Sequence, residues 1–200
     1  MALHLPALHL PQLLSHADCA SIVREIDFIV PPPDEPAGQR VDLLYGAPPR
    51  LAVDAARRAF AAAAQVETDA AARKGLARLA LQGTALAAQA AIYGVGGSMA
   101  AHVDASVNRQ KKPLVILSMG SDCVFGADAF EMTLQSGDAL VIDAAAVMHA
   151  VKRIVSQTSS IDALRNGRLS LMLWEAPAPP PKDHAQCISP ADLFRGDDDA

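Results

Sequence analysis

Residues 90–104 read A-A-I-Y-G-V-G-G-S-M-A-A-H-V-D. Two short apolar runs flank the pair Gly96-Gly97, a pattern of strand, turn and strand rather than helix. The same rhythm continues downstream. L-V-I-L-S-M, A-F-E-M-T-L, A-L-V-I-D, H-A-V-K-R-I-V and R-L-S-L-M-L-W follow one another. They are punctuated by Gly120-Ser121-Asp122, Ser136-Gly137-Asp138 and Asn166-Gly167. Short runs at regular spacing predict an antiparallel sandwich or barrel. Met132 and Leu134, then Leu140 and Ile142, flank S-G-D in the manner of a hairpin.

Upstream the character is helical. Ser15 and Asp18 form an S-x-x-D capping box ahead of Ile22, Val23 and Ile26. Pro31-Pro32-Pro33 and Pro36 end that element in a loop or linker. Leu51 to about Gln65 is alanine-rich, with Arg57 and Arg58 placed for one solvent face. Thr68 is positioned to cap a following helix that carries Arg73, Lys74 and Arg78. These helices are expected to be scaffold packed on a sheet. A-P-A-P-P-P over 176–181 reads as an extended linker. Beyond it, Ser189-Pro190 could start one short helix before the Asp197-Asp198-Asp199 run. The expected organisation is one domain over 1–175, helical over 1–89 and β-rich over 90–175, with a Pro-rich and acidic tail over 176–200.

Composition narrows the function. Of the 200 residues 51% are hydrophobic, enough for a packed core, and 4% are aromatic, too few for a platform that stacks single-stranded bases. The net charge is −5, and the nearest basic cluster, Asn108–Lys112, reads most simply as a solvated turn. Cys19, Cys123 and Cys187 form no CxxC unit and suit a reducing compartment. The N-terminal residues lack the basic start of a signal peptide, and no apolar stretch is long enough to span a bilayer. An intracellular, cytoplasmic protein without a membrane partner is the expectation.

His102-Val103-Asp104 carries the chemistry. On a strand, residues i and i+2 share a face, so this spacing presents an imidazole and a carboxylate side by side. A second imidazole would complete a 2-His-1-carboxylate set, which leaves open positions on Fe(II) for a cosubstrate and O₂. H-x-D alone says little, since His16-Ala17-Asp18 repeats it at a helix start, where the two residues do not share a face. His4 and His9 precede the domain, and His184 lies in the tail. His149 opens a strand 45 positions after Asp104, room for about three strands and their turns. It is the choice for the third ligand, against a buried histidine satisfied by backbone.

A dicarboxylate cosubstrate also needs a fixed cation. Arginine pairs bidentately with a carboxylate and stays charged when desolvated. Arg168 and Ser170 fall on one face of the last strand, Arg168 to Glu175, and Met172 and Trp174 continue that face. Arg165, in the preceding turn, is the fallback. Tyr93 is placed either to donate its phenol to the cosubstrate or to sit half-buried in the core.

The segments I-Y-G-V-G-G-S-M-A-A-H-V-D-A-S, S-G-D-A-L-V-I-D, M-H-A-V-K-R-I and R-L-S-L-M-L-W together resemble the AlkB-like Fe(II)/2-oxoglutarate dioxygenases. The resemblance covers residues 90–175. It implies an α+β fold with a mostly β core, a double-stranded β-helix (jelly-roll) with N-terminal helices packed on the sheet. It implies His102, Asp104 and His149 as Fe(II) ligands, with 2-oxoglutarate and O₂ as cosubstrates. Arg168 matches the arginine that holds the distal carboxylate of 2-oxoglutarate, and Tyr93 the tyrosine that contacts it. Three positions depart from the nucleic-acid repair pattern: Ala91 and Ser170 stand where asparagine is usual, and Trp174 where a second arginine is common. Hydroxylation or N-demethylation of a protein, lipid or small molecule is therefore expected. A nucleic-acid demethylase, with Arg109, Lys111 and Lys112 on a basic rim, is the alternative. An inactive jelly-roll binding module is another.

Overall fold

The computed structural model describes residues 7–26, 40–45, 48–104, 113–128, 130–155, 159, 161–164 and 166–176. Two antiparallel sheets lie face to face. The larger has the strand order β1-β8-β5-β10-β3-β2, and the smaller β4-β9-β6-β7. In chain order the strands are β1 (Ala7–Leu10), β2 (Arg40–Tyr45), β3 (Leu86–Tyr93), β4 (Met99–His102), β5 (Leu114–Gly120), β6 (Cys123–Ala127), β7 (Phe130–Leu134), β8 (Ala139–Ile142), β9 (His149–Ile154) and β10 (Arg168–Glu175). From β3 to β10 the chain alternates between sheets, except that β6 and β7 form a hairpin within the smaller one, in the manner of a double-stranded β-helix, which is the expected fold class.

Period-2 alternation divides the core. Leu86, Ala88, Ala90 and Ile92 of β3 face the helices, as do Leu169, Leu171 and Leu173 of β10. Ala91, Tyr93, Met172 and Trp174 face the smaller sheet, meeting Phe125, Val151 and Ile154. Helices α1 (His16–Glu25), α2 (Arg50–Val66) and α3 (Ala70–Leu79) cover the outer face, with α2 lying over β5 and β8. The buried stripe of α2 is Ala52, Ala55, Ala56, Ala59, Phe60 and Ala63. Small side chains let the helix approach closely, and Phe60 supplies the bulk, worth about 1.5–3 kcal/mol of burial. No helix among the described residues is long and apolar enough to cross a membrane.

Several expectations change. The N-terminal part is not purely helical: β1 and β2 form the two edges of the larger sheet, and β3 begins at Leu86, ahead of residue 90. His9 is accordingly part of the sheet, its Nε2 lying 2.9 Å from the Asp138 carboxylate. Ser136-Gly137-Asp138 is not a hairpin turn, because β7 pairs with β6 whereas β8 pairs with β5 and β1. It carries the chain from one sheet to the other, with Gly137 at φ 96° and its Cα so near the Leu14 carbonyl that a Cβ would clash. Strand β6, short and interrupted by Gly126, went unread. Asp69, not Thr68, caps α3, accepting from the Ala72 N–H at 2.7 Å. Arg57 does not face solvent; it donates to the Gln82 and Thr84 carbonyls and pins the approach to β3. The proline linker, Arg109, Lys111, Lys112, Arg165, His4, His184, Cys187 and the tail beyond Ala176 lie outside the described residues.

Candidate metal centre and cosubstrate pocket

Strand registers arrange the inner face of the larger sheet in rows. Tyr93, Arg168 and Gly120 share the first, and Ala91, Ser170 and Ser118 the second. Gln89, Met172, Ile116 and Leu140 form the third. In the fourth, Ala87 pairs with Trp174 and Leu114 with Ile142. The turn at Ser121 crosses to the smaller sheet beside the first row. There β6 runs from Cys123, near Arg168, up to Ala127, which pairs with His149. Arg168 thus marks a closed end, and His149 stands about 13 Å up the strands from it, at the mouth.

His102, Asp104 and His149 converge, each offering one ligand atom, and these atoms lie within 4.8 Å of one another. Asp104 Oδ1 is 3.1 Å from His102 Nε2 and 3.8 Å from His149 Nε2. The route differs from the expected one. Strand β4 ends at His102, so Asp104 is not its strand neighbour. Asp104 is placed by its own N–H, which donates to the Ala144 carbonyl at 2.8 Å in the turn after β8.

The histidine tautomers follow from their backbone partners. His102 Nδ1 lies 2.8 Å from the Ala100 carbonyl, and His149 Nδ1 lies 3.0 Å from the Val147 carbonyl. A carbonyl oxygen only accepts, so both Nδ1 atoms carry the hydrogen, and both Nε2 atoms turn toward Asp104. Such an outer hydrogen bond orients a metal-binding imidazole. The rings sit 4.3 Å apart, and Phe125 stacks on His149 at 6.0 Å. Adjacent octahedral positions place ligand atoms about 3 Å apart, so this N₂O set fits a ferrous ion after a small contraction.

Arg168 is fully buried. Its Nε donates to Ser170 Oγ at 3.2 Å, and its Nη1 to Ser118 Oγ at 2.5 Å and to the Ser121 and Leu134 carbonyls at 3.4 Å. Every acceptor is neutral, and among the described residues no carboxylate pairs with this cation. A buried charge is normally paired, so this end of the pocket is built for an anion. Tyr93 is 2% exposed and pairs with Arg168 across β3 and β10; its hydroxyl points to Met99 Sδ at 3.7 Å.

All six expected residues therefore lie on the inner faces or at the mouth. Ser118, the Leu134 carbonyl, Phe125 and Ala144 were missed. Only Ser118, a lone hydroxyl in L-V-I-L-S-M, left a trace in the sequence. Val103 and Met148, chain neighbours of the ligands, are 37% and 46% exposed.

The fold is shared with solved structures. OsALKBH1 superposes with a TM-score of 0.64 at 17% identity, covering 88% of this chain and all of that one. A Pseudomonas putida prolyl-4-hydroxylase gives 0.50 at 15% identity, covering 87% of this chain and 94% of its own. The viral collagen prolyl hydroxylase of Paramecium Bursaria Chlorella virus-1, in complex with 2OG, gives 0.53 at 10% identity, covering 86% and 96%. No curated protein matches by sequence. A family model does match, over residues 39–173, a span that contains the triad, Tyr93 and Arg168. The chain belongs to the 2OG-Fe(II) oxygenase superfamily, and is a dioxygenase that uses Fe(II), 2-oxoglutarate and O₂.

Proposed function

We propose that the protein oxidises a C–H bond of a protein, lipid or small-molecule substrate, by hydroxylation or N-demethylation. Fe(II), when bound, couples oxidative decarboxylation of 2-oxoglutarate to succinate and CO₂ with oxygen insertion into the substrate. His102, Asp104 and His149 would hold the metal, the two imidazoles kept in position by the Ala100 and Val147 carbonyls. Arg168 would receive the distal carboxylate of 2-oxoglutarate, with Ser170 and Ser118 fixing the guanidinium plane and Tyr93 alongside. Phe125, Met172 and Trp174 help exclude water from the space between.

The observation that carries the substrate reading is the apolar upper part of the pocket wall. Val103 and Met148 flank two of the ligands, and Trp174 occupies the top inner row. A polyanionic strand calls for cations near the site, and the apolar wall residues supply none. The resemblance to AlkB-like dioxygenases makes nucleic-acid demethylation the alternative to be tested. Succinate formation should be measured with Fe(II) and ascorbate in wild type and His102→Ala, alone and with peptide, fatty-acid and N-methylated oligonucleotide panels. Turnover that vanishes in the variant supports the metal site, and equal signals refute it. Stimulation by the oligonucleotides alone, with affinity falling steeply with salt, overturns the substrate reading.

A further inference from the structure

Gln89 is the polar residue that this chemistry leaves unused. It sits in β3 in the sequence L-A-A-Q-A-A-I-Y, and it shares its face with Ala91 and Tyr93. It is 6% exposed. Among the described residues, no group hydrogen-bonds to its side-chain amide. A carboxamide has two donors and a two-pair acceptor, and neither amide atom is among the fully buried atoms that lack a partner, so the amide opens onto the pocket with its hydrogen-bonding capacity unused by the protein. Its row neighbours are Met172 of β10 and Leu44 of β2, with Trp174 diagonal to it, and none of these residue types offers a strong partner. The alanines at 87 and 91 on the same face leave room on both sides.

Its height in the pocket gives this meaning. Arg168 and Tyr93 lie two rows deeper, where the cosubstrate carboxylate is expected, and Trp174 lies one row higher, at the mouth. Strand β3 leads through a short turn to β4, which ends in His102. Gln89 therefore stands above the buried cation, on the wall that an entering substrate would meet.

We propose that Gln89 is the specificity-determining residue for the substrate, selecting a planar amide beside the carbon to be oxidised. This rests on the dioxygenase reading above. Carbonyl oxygen and amino group lie side by side on Gln89, and another amide matches both at once. A carboxylate would set like partial charges against the Gln89 carbonyl, and a hydroxyl would fill only one position. The apolar third and fourth rows, Met172, Ile116 and Trp174, suit the flanking hydrocarbon of such a group. An adenine edge offers the same donor–acceptor pair, but the apolar third and fourth rows favour a peptide or small carboxamide.

The test is equilibrium binding to the full chain loaded with Fe(II) and 2-oxoglutarate under argon. The probes are benzamide and acetophenone, which differ by a methyl in place of the amino group. One extra hydrogen bond should make benzamide bind about fivefold to tenfold tighter to wild type. Gln89→Leu should abolish that preference. No preference in wild type, its survival in the variant, or tighter Gln89-dependent binding of 9-methyladenine overturns the proposal. Urea unfolding is the second measurement. An amide that bonds nothing in the protein predicts equal or greater stability for Gln89→Leu, and a marked loss shows that Gln89 serves the fold instead. Succinate formation by wild type without added substrate tests the dioxygenase reading separately, so the two can fail independently.

Discussion

Replacing Arg168 with methionine separates the pocket's charge from its shape. The side chain is fully buried, and its described partners are two serine hydroxyls and two carbonyls. Burying a cation without a counter-charge costs several kcal/mol, which these neutral acceptors offset only in part. In Arg168→Met the charge is gone. Ser118 and Ser170 are register partners on β5 and β10, so their hydroxyls can bond each other. The carbonyls at 3.4 Å lose long bonds only. Stability without ligand should therefore stay within about 1 kcal/mol of wild type, or rise. The cosubstrate pays differently. Removing one partner of a buried charge pair costs about 2–5 kcal/mol, or roughly 30- to 5,000-fold in the dissociation constant of 2-oxoglutarate. Calorimetric titration of the Fe(II)-loaded protein under argon reads the affinity. Urea unfolding reads the linkage: 2-oxoglutarate at 100 times the wild-type dissociation constant stabilises wild type by about 2.7 kcal/mol, and the variant by less than about 1 kcal/mol. Affinity retained within about threefold, or a ligand-free loss above about 3 kcal/mol, would refute the assignment of Arg168 as an anion receptor rather than a structural residue.

Gly120→Ala should destabilise by more than about 1 kcal/mol in urea unfolding, because φ is 91° and the new Cβ would lie 2.6 Å from the Gly167 carbonyl; an unchanged midpoint refutes the clash. Burial pushes the Cys19 thiol up to about 11, against about 8.5 unfolded, so the unfolded chain releases its proton first and stability falls as pH rises through that window. Urea midpoints at pH 7.5 and 10 should therefore drop less in Cys19→Ala than in wild type, and equal drops refute this. Ser15→Ala should cost about 1 kcal/mol by thermal unfolding, since the Ser15 hydroxyl accepts from the Asp18 N–H and the Asp18 carboxylate from the Ser15 N–H. The Ser15 hydroxyl and N–H hold the Asp18 carboxyl below its usual range, so that difference should be full above about pH 4 and shrink on further acidification.

What could be read in the sequence was what is encoded locally. The α1 capping box involves residues three apart, and it formed as expected. The Arg168–Ser170 pair depends only on strand alternation, and the two side chains do meet. Sheet partnership is not local. Ser136-Gly137-Asp138 has the composition of a hairpin turn, yet β7 already pairs back on β6, and β8 pairs with β5 and β1, partners that no short window contains. The edges β1 and β2 escaped for the same reason, each held by one neighbour far along the chain. Asp104 shows both effects at once. Its spacing from His102 pointed to the right pair, but the hydrogen bond that places it comes from Ala144, 40 positions later.

That distant anchor bears on how the site works as a unit. His102 ends β4, His149 opens β9, and these two residues are register partners in the smaller sheet, so the imidazoles are fixed to each other by strand pairing. Asp104 is fixed instead to the turn after β8, a strand of the larger sheet. The metal would thus join the two sheets at the mouth, as the cosubstrate carboxylate would engage Arg168 of the larger sheet beside the β5–β6 crossing at the closed end. Each ligand would cross-link the sandwich at one end, and each binds the folded state alone. Because the cosubstrate would also occupy open positions on the Fe(II), the two stabilisations should be coupled, with 2-oxoglutarate stabilising the metal-loaded protein more than the metal-free one. Gln89 lies in the third row of the gap between the sheets, level by strand count with His149. Any change in sheet separation on loading would therefore register directly in the space where the substrate amide is proposed to bind.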